Sequence, residues 1–456
     1  TVRIGNVRTS LAGGGSGPAT GVLNIQSGNL TGNGAGSLHV GLTDNQAPGI
    51  LAGDANGTLS VDGNVSGFGI ANVGGSGFGS TGNATGDLSI TGSLQDTSLS
   101  VGSSAGSADA IGTAVIGTGI SNANFVTVGN SGSSGNTATA SGTGELTVLA
   151  GGIQGNNLGM GFDLSIGRTS GPGSAMGTAT VTGNISDFGT VRIGNVRTSL
   201  AGGGSGPATG VLNIQSGNLT GNGAGSLHVG LTDSNTLAGD ADGTLSVDGN
   251  VSGFQFVNVG VVGFGAAGNA TGALTVNNGD FSADALLVGT SSGTGTAMGT
   301  FDLNDNLGII DNAMVLGDGS TVALGIGGLM RGVEYGAIDA DFTILGGILD
   351  LAFSFTPTAG DIFDLVISGS DTSIFGDFVA VNFSGLAAGT LASFGIVIDT
   401  VNGMDVEIYR LEIGTGKPIP DPPTPTIAEP GTLVILVSGL MVLGMARRRR
   451  GVEHDC

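Results

Sequence analysis

Tryptophan is missing from this 456-residue chain, cysteine occurs once, at Cys456, and lysine once, at Lys417. Each absence excludes something. A single cysteine cannot form a disulfide within the chain, so stability has to come from packing and backbone hydrogen bonds. Glycine clusters such as Gly74-Gly75-Ser76-Gly77-Phe78-Gly79 lack the lysine and following helix of a phosphate loop. With no tryptophan, and tyrosine only at Tyr335 and Tyr409, an aromatic platform for stacking sugars is not expected. Positive charge is scarce as well. Twelve Lys and Arg face 35 Asp and Glu, for a net charge of −23, and four of the twelve sit together near the end. A chain this acidic is not a nucleic-acid binder, because that affinity depends on neutralising phosphates. Acidity suits a soluble extracellular surface.

What is abundant is glycine, 93 residues of it, without the strict three-residue period of collagen. Disorder is the next reading of such a composition. It is opposed by 39% apolar residues, a mean hydropathy of +0.33 and only 10% charged residues. There is enough Val, Ile, Leu and Phe to build a core if the chain can align them.

Repetition supplies the alignment. Residues 1–44 recur unchanged as residues 190–233, and the wider blocks 1–68 and 190–254 are near-identical. A shorter period lies beneath this duplication. A Val/Ile-Gly pair recurs at Ile4, Val40, Val73, Val101, Val128, Ile166, Ile193, Val229, Val259 and Val288. The spacing, about thirty residues, falls in the range of solenoid repeats. Between the pairs comes Gly-x-Leu-x-Val/Ile, as in Gly57-Thr58-Leu59-Ser60-Val61 and Gly144-Glu145-Leu146-Thr147-Val148. Apolar residues two apart with Ser, Thr or Asn between them predict strands with one face buried. Gly, Asn, Ser and Asp fill the gaps as turn residues. No amphipathic helix is legible before the C-terminal tail. The expected fold is all-β, a parallel β-solenoid (β-helix) over residues 1–300. From residue 301 glycine thins and phenylalanine rises, so residues 301–413 are expected to form the final rungs and a β-rich C-terminal cap. Loosely, this stretch resembles the C-terminal part of autotransporter-type passengers and β-strand-repeat surface proteins. The chain opens at Thr1 inside a repeat, without a methionine or signal peptide, as expected of a chain whose true start lies upstream.

Candidate chemistry in the body is sparse. His39 and His228 occupy the same position in the two blocks, on the polar side of Leu-x-Val strands, with no nucleophile or orienting acid nearby in sequence. They read as solvent-facing strand residues. Asp240-Ala241-Asp242-Gly243 and the acidic stretch at Asp302 and Asp305 have a calcium-loop character, but lack the glycine and terminal acid of a calcium-binding hand. They read as solvated acidic turns, and no cofactor or metal is expected. Asp361 and Asp364 form a carboxylate pair of the kind used in glycoside hydrolysis only when flanking a groove. A β-helix enzyme or lectin acting on polysaccharide is therefore the alternative to a non-enzymatic reading.

The tail is the most specific segment. A proline-rich linker, residues 414–427, leads to Glu429-Pro430-Gly431, an uncharged apolar run at 432–446, and Arg447, Arg448, Arg449 and Arg450. Prolines favour an extended spacer. A terminal arginine block holds its end of a membrane helix on the cytoplasmic side. The apolar run would span roughly 22 Å as a helix, short of a hydrocarbon core of about 30 Å, a gap that snorkelling arginines and bilayer thinning can close. The order of these pieces over residues 428–456 resembles the PEP-CTERM sorting signal of exported Gram-negative bacterial proteins. Ala428 stands where that family has its first proline. The resemblance implies one C-terminal transmembrane helix serving as a transient membrane anchor. It also implies recognition of Glu429, Pro430 and Gly431 by an exosortase-like membrane protease-transpeptidase. A passage through an inner-membrane intermediate to the cell surface or extracellular matrix follows. The expected function is that of an exported structural or adhesive β-repeat protein, with extracellular polysaccharide as a candidate partner.

Overall fold

A computed structural model of the chain describes residues 1–9, 17–45, 53–77, 80–132, 140–156, 163–197, 206–233, 239–369, 373–386, 390–401 and 403–414. The described residues form strands and turns with no helix, wound into a parallel β-solenoid of about ten turns. Each of the ten turns from Ala19–Ile25 to Ala297–Asn304 gives one short strand to a 13-stranded sheet and one bent strand, or two shorter ones, to a 20-stranded sheet, and Ser320–Ile326, Ile348–Phe353 and Ala380–Ser384 complete the smaller sheet. Ala208–Gln215 and Leu219–Thr232 form one such turn, and Ala241–Asp248 and Val251–Val262 form the next. The larger sheet bends where its register slips, as between Thr220 and Gly225. The smaller sheet runs parallel and without register shift from Ala19–Ile25 through Ala297–Asn304.

Identical residues stack because the rungs are in register. Leu23, Leu59 and Leu88 lie one above another in the smaller sheet, as do Ile25, Val61 and Ile90. The Val/Ile of the Val/Ile-Gly pairs forms the facing column, with Val40, Val73 and Val101 fully buried. A third column, running through Leu94, Ile120, Ile153, Ile185 and Leu219, closes the far corner. These columns form one continuous apolar core.

The glycines of the Val/Ile-Gly pairs have a structural role of their own. All ten, from Gly5 to Gly289, have φ between +57° and +64°. That conformation is costly for a residue with a Cβ. Each comes up against a glycine of the smaller sheet, as Gly230 does against Gly243, whose backbones meet too closely for any side chain. The two glycine ladders pinch the cross-section. On one side lies the large Leu/Val/Phe core. On the other lies a narrow lobe filled by small residues, with Val196, Ala208 and Ala241 in one cluster and Val262, Ala266, Ala270 and Ala297 in another. Thr43, Ser76, Ser104, Ser131, Thr169 and Thr232 continue this lobe in one buried column, with Val196 between the last two. Their hydroxyls are hidden from water, and several bond to nearby carbonyls, as Ser104 Oγ does to Ala108 O at 3.0 Å.

The turns are held by side-chain ladders. Asn184, Asn218 and Asn250 each accept, through Oδ1, a hydrogen bond from the equivalent backbone N–H one rung on, at 2.8–2.9 Å. Asp54, Asn83 and Asp109 do the same at another corner.

The texture change near residue 300 coincides with the end of the glycine ladder, where Gly299 pairs with Ser320. Larger side chains then fill the interior. Phe353, Phe355 and Phe363 pack together, and Tyr335 meets Phe363 edge-on at 5.2 Å between centroids. Parallel pairing continues to Ala380–Ser384 in the smaller sheet. In the larger sheet Ile362–Ser368 pairs in parallel with Ala337–Leu345 on one side and antiparallel with Met404–Ile413 on the other, which in turn pairs antiparallel with Ala392–Val401.

Candidate functional surfaces

The residues with the most specific sequence signal, Glu429, Pro430, Gly431 and Arg447, Arg448, Arg449 and Arg450, lie outside the described residues, as does the linker from 415 onward. The chain divides into two units, Thr1–Lys417 and Pro418–Cys456. No helix among the described residues is long and apolar enough to cross a membrane.

The two histidines sit where the repeat predicts, on outward positions between buried Leu and Val, but they are half-buried and not simply solvated. Stacking explains the difference. His39 lies between Arg3 and Asn72 in successive rungs, and His228 between Arg192 and Asn258. Asn258 Nδ2 donates to His228 Nδ1 at 2.9 Å, and Asn72 Nδ2 to His39 Nδ1 at 3.1 Å. Burial, and then the neighbouring Arg192 guanidinium, hold His228 well below its ordinary pKa. Neutral imidazole is the form that accepts at Nδ1. The asparagine partner comes from the next rung, about thirty residues away in sequence, and no local signal reveals it.

Four of the carboxylates considered from the sequence have local roles of their own. Asp240 Oδ1 accepts from Asn269 N at 2.9 Å, as a member of a turn ladder. Asp302 Oδ1 accepts from Asn304 N at 3.0 Å, and burial raises its pKa. Asp361 closes the turn at Thr358, accepting from its N–H at 2.7 Å. Asp364 holds Arg410 through contacts of 2.6 and 3.3 Å, and Arg410 also reaches Asp399 at 3.0 Å. Asp361 and Asp364 are thus committed to different partners. Among the described residues no group of three or more His, Cys, Asp or Glu is placed to hold a metal ion.

Two surface features escaped the sequence reading. One is a cluster of arginines on the larger sheet. Arg168 stacks on Asn195, with Arg192 and Arg197 close in the next rung. Arg192 is paired with Asp163 at 2.6 Å. Burial first, then repulsion by Arg192 and Arg197, bring Arg168 down to about 10. The other is a shallow depression lined by Ile309, Asp311, Asp339, Asp341, Ile367 and Ser368. Burial, and then the Asp311 carboxylate, raise Asp341, while Asp339 is paired with Arg331 at 2.6 Å.

No protein-family model matches the chain. No curated protein matches it either.

Proposed function

We propose that the chain is an exported, non-enzymatic structural or adhesive protein of the bacterial cell surface or extracellular matrix. In this reading the solenoid is a rigid rod that presents a long repetitive face. The antiparallel strands within residues 362–413 act as a cap, covering a parallel edge that would otherwise recruit other chains. The tail acts as the sorting signal. The observation that carries the reading is the order of elements in the tail: proline-rich spacer, Glu429-Pro430-Gly431, uncharged apolar run, then Arg447, Arg448, Arg449 and Arg450. That order describes a membrane helix with its basic end retained in the cytoplasm and a recognition motif on the exported side. An exosortase-like membrane protease-transpeptidase is the partner the motif would meet. The body fits such a role physically, since stacked rungs add length at little cost in folding complexity and rely on no disulfide.

The test is surface accessibility in the native host. Intact cells are treated with an external protease, and the body is followed by antibody, in the wild type and in a variant lacking residues 429–431. The reading expects digestion of the wild-type body outside the cell and retention of the variant in the inner-membrane fraction. A body protected inside intact cells, or equal release of both proteins, would overturn it.

A further inference from the structure

The outward side of the smaller sheet carries a pattern that neither the core nor the turns require. In alternate rungs a threonine stands just before the ladder glycine: Thr20, Thr85, Thr143, Thr209 and Thr271. In the intervening rungs it stands just after the glycine: Thr58, Thr113, Thr178, Thr244 and Thr300. Ten successive rungs therefore contribute one threonine each, in a zigzag with a two-rung period. Over these ten rungs the smaller sheet has no register shift, so the zigzag repeats along the axis every roughly 9.6 Å, twice the strand spacing. Side chains at these positions are at least partly exposed. Apolar side chains share the face, with Ile111, Met176 and Met298 each about half exposed at 49–54%.

Charge narrows what such a face can meet. From Ala19–Ile25 through Ala297–Asn304 its outward positions include no Lys or Arg, but do include Asp87, Glu145 and Asp242. A polyanion is repelled there, and so is a second copy of a chain with net charge −23. Charge therefore leaves a neutral or a cationic partner, and the hydroxyls decide between them, because they outnumber the three carboxylates and recur in every rung. Hydroxyls that both donate and accept, set among exposed methyl and thioether groups, match a ribbon that shows hydroxyls and C–H faces in turn. The two-rung period is close to the length of one disaccharide in an extended β-1,4-linked glycan, whose successive sugars are flipped just as the threonines alternate.

We propose that this flat face binds neutral β-1,4-linked polysaccharide, the glycan lying along the solenoid axis with one disaccharide to every two rungs. This deepens the matrix role proposed above and rests on it only for biological context, since binding is a property of the purified protein.

The test is co-sedimentation of the purified full chain with microcrystalline cellulose, and with chitin as a second β-1,4 glycan. A quadruple variant, T58V/T113V/T178V/T244V, removes hydroxyls while keeping shape and β-branching. A control variant, T127V/T190V, alters outward positions of the larger sheet. Binding should weaken about tenfold or more in the first variant, because contacts along one glycan act together, and stay unchanged in the control. Circular dichroism confirms that both retain the β signal. A second pair of variants tests the period itself. Deleting residues 208–269 removes two rungs and keeps the zigzag, so binding should persist. Deleting residues 241–269 removes one rung and breaks it, so binding should fall. No binding to either glycan overturns the proposal. So does binding that ignores the threonines, or shaping of ice crystals in place of glycan binding. Any of these would leave surface export standing, because export is read from cell fractionation and the C-terminal peptide.

Discussion

The glycine pinch makes a quantitative prediction at Gly230. This residue lies in the strand Leu219–Thr232 with φ +64°, and a Cβ there would overlap the carbonyl oxygen of Thr271. Gly223, seven positions earlier in the same strand, also has positive φ, +85°, yet a Cβ there would meet nothing within 4 Å. Alanine at either site bears the left-handed backbone cost of about 1–2 kcal/mol. Only at Gly230 must the two sheets also part. Carbon and oxygen normally sit about 3.5 Å apart, so the strands would have to separate by more than about 1 Å. That movement breaks ladder hydrogen bonds in a buried place, where each unsatisfied group costs about 1–3 kcal/mol. With two such groups, Gly230→Ala should lose about 3–8 kcal/mol against about 1–2 for Gly223→Ala. Guanidinium denaturation of the two variants reads the difference. Amide exchange over residues 219–232 shows whether the lesion is local, as expected where each rung contacts only its neighbours. Equal losses at the two sites, within about 0.5 kcal/mol, would refute the pinch as a source of stability.

Three further outcomes follow from the packing and the ladders. Phe281 is fully buried and meets Phe301 edge-on at 4.8 Å, so Phe281→Ala should cost about 3–5 kcal/mol in denaturant, the range for emptying a buried aromatic site. Asn250 Oδ1 accepts from Asp280 N at 2.8 Å, so Asn250→Ala should cost about 1 kcal/mol and speed exchange of the Asp280 amide, while Asn250→Asp, which keeps the acceptor, should not. The pKa of His228 is depressed to about 3 in the folded state, so its contribution to stability is present above the unfolded value, about 6.5, and is lost progressively as pH falls from there to the folded value. Denaturation between pH 7 and 4 should therefore show a shallower loss for His228→Gln than for the wild type, and an identical slope would contradict the burial of a neutral imidazole.

The solenoid was legible in the sequence because its period and its buried face coincide. Val40, Val73 and Val101 recur at the rung spacing, and each is followed by a glycine whose positive φ the fold uses. Two rungs were harder to see. In the strands Ala110–Ile116 and Ala175–Thr182, Ala114 and Ala179 stand where other rungs place Leu, so the Gly-x-Leu motif is interrupted although the register is not. The narrow lobe was hidden for a different reason. Thr43, Ser76 and Ser104 look like turn residues by type, and only stacking shows them buried in one column. The same holds for the asparagine ladders and for His228, whose partner Asn258 lies thirty positions away. The threonine zigzag was present in plain sequence as alternating Thr-Gly and Gly-Thr. It stayed unseen because its meaning depends on which strands are neighbours. The antiparallel pairing of Met404–Ile413 with Ile362–Ser368 has no local signature either, since alternation alone does not specify strand direction.

The claim on which the functional account turns is that the tail sorts the body to the outside of the cell. Mass spectrometry of the C-terminal peptide, from protein extracted at the surface of the native host, tests it most directly. The account predicts a peptide that ends near Glu429-Pro430, or that carries an added group there, with the apolar run and the four arginines removed. An intact peptide through Arg447 in the membrane fraction, with none shortened at the surface, would contradict it.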